Sequence, residues 1–347
     1  MTTPPAPTSR GGTRAVVAAT SAAERAQLLR ILHADGAIVV VGQTDSGDGA
    51  VHLTSDLRPD IVVVDLSLAA GGAVLAIQQI MARVPTPILG LSRHPQDPLS
   101  SAVVDALAAG ALEVVPVPER WTAALETRLC RSVRLLRGVP VMRHGARTTG
   151  PATRAGRTDD RHVVAVGAST GGPSALATVL AHLQGLTAPV LVVQHLHADF
   201  TAGLVDWMAR VSVLPVELAE HGVAPRPGHV YIAPGGTHLR LTAGWRLELS
   251  EDPETLHRPS VDELFRSVAE HAGTGATGVL LTGMGDDGAR GLLAIRERGG
   301  RTLAQDEESC AVFGMPAAAE RLGAVTELLA PLALARAVSA ADRTRRR

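Results

Sequence analysis

The chain contains no lysine; all 33 basic residues are arginine. That excludes a Schiff-base lysine, a P-loop lysine and every other lysine-dependent mechanism. Cysteine is nearly as scarce: Cys130 and Cys310 stand far apart and carry no metal-ligand spacing. They read as small thiols in a reducing cytoplasm, and neither a disulfide framework nor a zinc set is written here. Aromatics make up only 2% of the residues, so the cores must be built from Val, Leu, Ile and Ala, which favours α/β layering. No apolar run approaches the ~20 residues of a membrane span. The opening MTTPPAPTSRGGTR is polar and proline-rich, with no apolar core of a signal peptide. Formal net charge is −1, and no basic block stands outside one arginine-rich stretch and the last residues. Nucleic acid is therefore not the expected partner. These absences point to a cytoplasmic protein.

What is present is a globular composition of 347 residues, 46% of them apolar, a length that ~100–200 residues per domain divides into two. In the first part, short Val/Ile-rich runs alternate with amphipathic stretches. The runs are Ala15–Ala18, Ile38–Val41, Ile61–Val64, Ile88–Leu91 and Glu113–Val115. Ser21–Leu32, Gly47–Leu57, Ala73–Arg83, Ser100–Ala109 and Trp121–Leu136 supply helices. Consecutive βα units of this size predict a doubly wound parallel sheet of flavodoxin-like order over residues 13–137. Residues 138–160, rich in Arg, Gly, Thr and Pro, read as a flexible linker. From residue 161 the alternation resumes as a second, Rossmann-like α/β domain reaching residue 340. It has a strand at Val163–Val166, a helix at Pro173–Leu183, a strand at Pro189–Val193 and a helix at Asp199–Val211. A β-rich stretch at His229–Ser250 precedes a helix at Ser260–Ala272, a strand at Gly278–Leu281 and a helix at Ala289–Glu297. Residues 341–347 are expected to be a disordered tail.

The second domain holds the chemistry. VVAVGASTGGP, Val163 to Pro173, contains G-x-S-x-G as Gly167, Ser169 and Gly171. A strand before it and a helix after it are the context of a nucleophile elbow, in which a tight turn presents the serine hydroxyl. N–H groups at the helix N-terminus can then meet a developing oxyanion. A plain glycine-rich turn with a capping serine would leave the same five-residue trace. Gly273, Gly275 and Gly278 spell G-x-G-x-x-G, but they follow a helix and precede a strand, the reverse of the dinucleotide-binding context. Nothing else suggests a cofactor, and no metal-ligand set is visible. A nucleophilic serine needs a base and an orienting acid. His195 ends the run VLVVQ, and Asp286 and Asp287 follow VLLTGMG; both lie at C-terminal strand ends, where sites of open α/β sheets assemble. His197 competes as the base, and His238 reads as a hairpin residue. Spacing alone does not choose between the neighbours.

Taken together, VGASTGGP, Gln194–His195, PGHVYIAPGGTHLRL, HRPSVDELF, LLTGMGDDGARG and FGMP resemble, in order, the catalytic domain of bacterial chemotaxis protein-glutamate methylesterases. The resemblance implies Ser169 as nucleophile, His195 as base and Asp287 as orienting acid, with the backbone N–H groups of Thr170 and Met284 forming the oxyanion hole. It implies acyl transfer from glutamyl methyl esters of methyl-accepting chemoreceptors, and in some members deamidation of glutamine there. Other chemotaxis signalling proteins are implied as further partners. The residues themselves do not identify that substrate.

In that family a receiver domain precedes the catalytic one, and the five βα units fit it. Asp65, closing PDIVVVD, stands where the phospho-acceptor belongs, and Ser92 at the hydroxyl position. Ala19–Thr20 replace the acidic pair, and Val117 replaces the lysine. Only Asp65 remains of the oxygen ligands that would hold a divalent cation. The expectation is a degenerate receiver with Asp65 as a vestigial acceptor, acting as a fixed or partner-displaced cover over the esterase. Two other readings remain: a non-catalytic pseudo-receiver/esterase docking platform, and a same-fold esterase acting on a methylated protein outside chemotaxis.

Overall fold

The computed structural model describes residues 12–68, 72–93, 101–137, 139, 162–255 and 257–345. Apart from Val139, the expected linker lies outside the described residues. The first unit runs β1 (Thr13–Ala18), α1 (Ala22–Ala34), β2 (Ile38–Thr44), α2 (Gly47–Leu57), β3 (Ile61–Asp65), α3 (Gly72–Arg83), β4 (Ile88–Ser92), α4 (Ser101–Ala109), β5 (Glu113–Pro116) and α5 (Ala123–Leu136). Its strands are parallel in the order β2-β1-β3-β4-β5, the flavodoxin-like arrangement. Every residue of β3 is buried, as a strand covered by helices on both faces requires. Ser46 and Thr122 cap α2 and α5, their hydroxyls accepting from the N–H groups of Gly49 and Leu125.

The second unit runs β6 (Val163–Ala168), α6 (Gly172–Leu180), β7 (Val190–Gln194), α7 (Thr201–Val211), β8 (Val216–Leu218), β9 (Val230–Ile232), β10 (His238–Leu241), β11 (Leu247–Ser250), α8 (Val261–Ala272), β12 (Ala276–Leu280), α9 (Ala289–Glu297), β13 (Arg301–Gln305), α10 (Met315–Arg321), β14 (Glu327–Leu329) and α11 (Pro331–Arg345). Seven strands form a parallel sheet in the order β14-β13-β12-β6-β7-β9-β8, and β10–β11 is an antiparallel hairpin. The sheet order reverses at β6, which has β7 on one side and β12 on the other. A ligand crevice belongs at such a switch point, beyond the C-terminal strand ends. Gly167 lets α8 close over β6: a Cβ there would stand 2.1 Å from Val261 Cγ1. Alanine at that position would overpack the contact, at about 1–3 kcal/mol.

One expectation needs revision. The chain does not fray at residue 341 but stays helical to Arg345. Asp342 is buried there, accepting the Thr187 N–H at 3.0 Å and lying 3.2 Å from His162 Nδ1, so a polar-looking tail is pinned to the sheet. G-x-G-x-x-G does open as a short 3₁₀ turn between α8 and β12, as its reversed context required. Among the described residues, no helix is long and apolar enough to cross a membrane.

The two units share packing. α4 lies against α6 and α7, and Val103, Val104 and Leu107 join one apolar cluster with Leu204, Trp207 and Met208. At the closest approach, a Cβ on Gly203 would stand 2.7 Å from Val104 Cγ2. Beside this seam the carbonyl of Leu112 accepts the N–H of Gly171 at 3.1 Å. The first unit therefore touches the turn that carries Ser169. Both cysteines are free and buried, and burial pushes the Cys310 thiol up to about 12.

Candidate active site

Ser169 follows the last residue of β6, and His195 the last residue of β7. Ala168 and Gln194 are partners in the β6–β7 register, and the His195 N–H donates to the Ala168 carbonyl at 2.9 Å. Serine and histidine are thus neighbours across two parallel strands, which run ~4.8 Å apart. From the other side, the Ser169 N–H donates to the Thr282 carbonyl at 3.0 Å. The Gly283 backbone packs closely enough that a Cβ on it would stand 2.7 Å from the Ser169 Cβ.

Of the two neighbouring aspartates, only Asp287 contacts His195 among the described residues. Asp286 is exposed; Asp287 lies under the start of α8. Its Oδ2 lies 2.9 Å from His195 Nε2 and accepts the Val261 N–H at 2.8 Å. Its Oδ1 accepts the Ser260 hydroxyl and the Asp262 N–H, each at 2.9 Å. Burial opposes ionisation of Asp287, but His195 and the N–H groups of Asp262 and Val261 outweigh it and hold the carboxyl well below the usual range. The helix N-terminus favours the same charge. A carboxylate so placed keeps the proton of His195 on Nε2 and frees the Nδ1 lone pair. Nδ1 is buried and without a hydrogen-bond partner among the described residues. No hydrogen bond joins it to the Ser169 hydroxyl.

The two N–H groups expected to meet an oxyanion are oriented by their own peptide planes, because C=O and N–H of a trans peptide point in opposite directions. The Ser169 carbonyl, in the plane of the Thr170 N–H, accepts Gln194 Nε2 and the Gly172 N–H, each at 2.8 Å. The Gly283 carbonyl, in the plane of the Met284 N–H, accepts the N–H groups of Gly314 and Met315 at 3.1 and 2.9 Å. Among the described residues, no hydrogen bond takes up the N–H of Thr170 or Met284. Gln194 and the FGMP loop thus aim both donors.

His197 and His238 are elsewhere. The ring of His197 is partly exposed and lies 3.2 Å from Asp199. His238 is buried in β10, accepting the Ser260 N–H on Nδ1. Sequence reasoning assigned no role to Ser260, Gln194 or His257. Ser260 and Glu263 carry the S-x-x-E pattern of a helix start, and the Ser260 hydroxyl accepts the Glu263 N–H at 3.4 Å.

The receiver-like edge of the first unit is built differently. The Asp65 side chain is fully buried, its Oδ1 accepting the Ser67 N–H at 2.8 Å and the Ser67 hydroxyl at 2.7 Å. Arg93 Nε donates to Oδ2 at 3.1 Å, and the same guanidinium pairs with Glu24 at 3.0 Å. Arg25 donates to the carbonyls of Ala19 and Thr20, where the acidic pair would stand. Two guanidinium groups flank the ground a divalent cation would occupy, and the acidic pair that would join Asp65 in binding it is replaced by Ala19 and Thr20. The residues present do not fit the ion. Small phosphodonors with Mg²⁺ should leave no stable aspartyl phosphate on Asp65 and no change in hydrolysis rate. Phosphate found on Asp65 by mass spectrometry, with a matching gain in activity, would overturn this.

An elbow serine, an imidazole beside it and a carboxylate on that imidazole make up the constellation used by serine hydrolases. Residues 164–338 match the CheB methylesterase family model. The chain is 44% identical over 324 residues to protein-glutamate methylesterase/protein-glutamine glutaminase 2 of Anaeromyxobacter dehalogenans (strain 2CP-C), covering 91% of this chain and 93% of that one. It is 40% identical to protein-glutamate methylesterase/protein-glutamine glutaminase 4 of Geobacter metallireducens (strain ATCC 53774 / DSM 7210 / GS-15), covering 90% and 93%. The crystal structure of the Thermotoga maritima CheB methylesterase catalytic domain is 36% identical, with a TM-score of 0.50, and covers 51% of this chain and 97% of that one. The chain belongs to the CheB methylesterase family and is a hydrolase.

Proposed function

We propose that this chain hydrolyses γ-glutamyl methyl esters of methylated chemoreceptors, with Ser169 as nucleophile, His195 as base and Asp287 as the orienting acid. The observation that carries the reading is the Asp287–His195 pair set on the N-terminus of α8, with Ser169 and His195 following paired strand residues and His195 Nδ1 left without a hydrogen-bond partner among the described residues. Ser169 Oγ attacks the γ-carbonyl as His195 Nδ1 takes its proton. The tetrahedral oxyanion forms against the N–H groups of Thr170 and Met284. Collapse returns the proton to the departing methanol, and a water molecule activated by the same nitrogen releases the glutamate. A glutamine side chain would follow the same path with ammonia leaving, as the names of the relatives suggest.

The substrate class implies a cytoplasmic setting and no membrane insertion. Residues 13–137 act as the regulatory unit, 138–160 as the connection and 161–340 as the catalytic domain. Contact of Leu112 with Gly171 supports the reading of the first unit as a cover over the nucleophile turn. Because Asp65 is closed by Arg93, a protein partner rather than phosphate would displace that cover. The test is methanol release from carboxyl-methylated receptor fragments, with other methylated proteins as competitors. Release from receptor fragments is expected; release only from the competitors would favour the same-fold esterase outside chemotaxis, and none from either the docking platform.

A further inference from the structure

We propose that His257 is a positioning residue for the base: its ring clamps the face of His195 while Asp287 holds the edge. This rests on the hydrolase reading above. The two imidazoles are stacked, with centroids 4.2 Å apart and planes 13° from parallel. An edge hydrogen bond alone leaves an imidazole free to rock about the N···O axis. A flat ring against its face removes that freedom, and with it the swing of Nδ1 relative to Ser169.

The segment that delivers His257 is itself tied down. The Thr255 hydroxyl donates to the His257 carbonyl at 2.6 Å, and the Gly236 N–H to the Arg258 carbonyl at 3.2 Å. Three residues on, Ser260 places its N–H on His238 and its hydroxyl on Asp287. One short stretch therefore carries both the face contact on the base and a hydroxyl contact on the acid. A displacement of that stretch moves both together.

The stacked partner also has to stay neutral, since His195 becomes an imidazolium in the transition state and a second cation 4.2 Å away would oppose it. His257 faces His195 and Asp287 and, from α5 of the first unit, Arg128 and Arg131. Burial first, then His195 and the two arginines, lower its pKa from the ordinary histidine value; Asp287 opposes them and does not prevail. That lowering favours the uncharged ring beside His195.

The test uses the full chain with three variants, His257→Ala, His257→Phe and His257→Gln, and Ser169→Ala as the control, all assayed by methanol release. His257→Ala should lower kcat ~10–100-fold, the range a base misplaced by about 1 Å costs, with KM within about threefold of the parent. His257→Phe keeps a flat ring and cannot titrate. It should restore kcat to within about fivefold of the parent, whereas His257→Gln should not. Should the alanine variant fail to fold, the phenylalanine–glutamine contrast decides the matter. The inference is overturned if His257→Ala keeps its kcat, if only its KM rises, or if phenylalanine is as poor as glutamine. An active Ser169→Ala would instead overturn the site itself; an inactive Ser169→Ala beside an unimpaired His257→Ala removes only the clamp.

Discussion

Replacing Ser169 with alanine should abolish ester hydrolysis, by at least ~10⁴-fold in kcat, and leave the thermal midpoint within about 2 °C of the parent. The asymmetry follows from where the side chain stands. Ser169 is only half-buried, and its hydroxyl makes no hydrogen bond within the described chain. Removing one oxygen therefore leaves no buried group unpaired, and the cost that usually follows loss of a polar atom does not arise. Its backbone has no positive φ, so alanine meets no strain. The contacts Ser169 makes all use its own main-chain atoms: its N–H on Thr282, and its carbonyl on Gln194 and Gly172. Chemistry depends wholly on the missing atom, because the covalent step forms its bond through that oxygen. Steady-state methanol release and a melting curve on the same preparation check both halves. An alanine variant within a few-fold of the parent would remove Ser169 from the mechanism.

Much of this was legible in the sequence because it is local. The change from the strand VVAVGA to the glycine turn and then to a 3.6-residue period announces β6, Ser169 and α6 from neighbouring residues alone. The five βα units of the first part, and their sheet order, follow from the same alternation. What escaped reading is set by distant segments. The family resemblance chose Asp287 over Asp286, but the contact that sets it apart depends on where the N-terminus of α8 comes to rest, and no spacing within GMGDDG contains that. Loss of the acidic pair and lysine around Asp65 was visible, but its replacement was not. Arg93 and Glu24 meet Asp65 only in the folded sheet.

The last third of the second unit was read least well, for a compositional reason. β13 is RTLAQ and β14 is ELL, short strands without the β-branched runs that mark β3 or β7. α11 ends in arginine-rich sequence that resembles a frayed terminus. It is held by Asp342, whose partners Thr187 and His162 lie on the far side of the chain. His257 escaped for a related reason. A histidine in an irregular segment has no periodicity, and its meaning lies in a ring delivered from β7.

Asparagine in place of Asp287 should cost roughly 10⁴ in kcat, a loss of the kind the triad template shows on the same change, while Asp286→Asn should stay within about twofold. The reason is a count of donors and acceptors. All four groups around the Asp287 carboxylate point protons at it: Ser260 hydroxyl, Val261 N–H, Asp262 N–H and His195 Nε2–H. An asparagine offers one acceptor oxygen and one NH₂. With the oxygen turned to Asp262 and Ser260, the NH₂ faces both His195 and the Val261 N–H. That imidazole can relieve the clash only by moving its own proton from Nε2 to Nδ1. The lone pair then points at the acid position, and an N–H points towards the serine, so the base is present but reversed. With the oxygen turned the other way, the NH₂ opposes the Asp262 N–H at the helix N-terminus, and α8 loses an anion worth about 0.3–1 kcal/mol there. Stability should show the sign of the native group. Because the folded pKa of Asp287 is lowered, its contribution is present above the unfolded-state carboxylate value and fades as pH falls towards the folded one. The melting gap between parent and asparagine variant should therefore be widest near neutrality and close under acid. Nitrogen-15 spectra of the imidazole check the mechanism directly: the parent should carry its proton on Nε2 and the variant on Nδ1. A variant that is slow yet keeps the Nε2 tautomer would refute the reversal, and full activity in Asp287→Asn with loss in Asp286→Asn would move the acid to its neighbour.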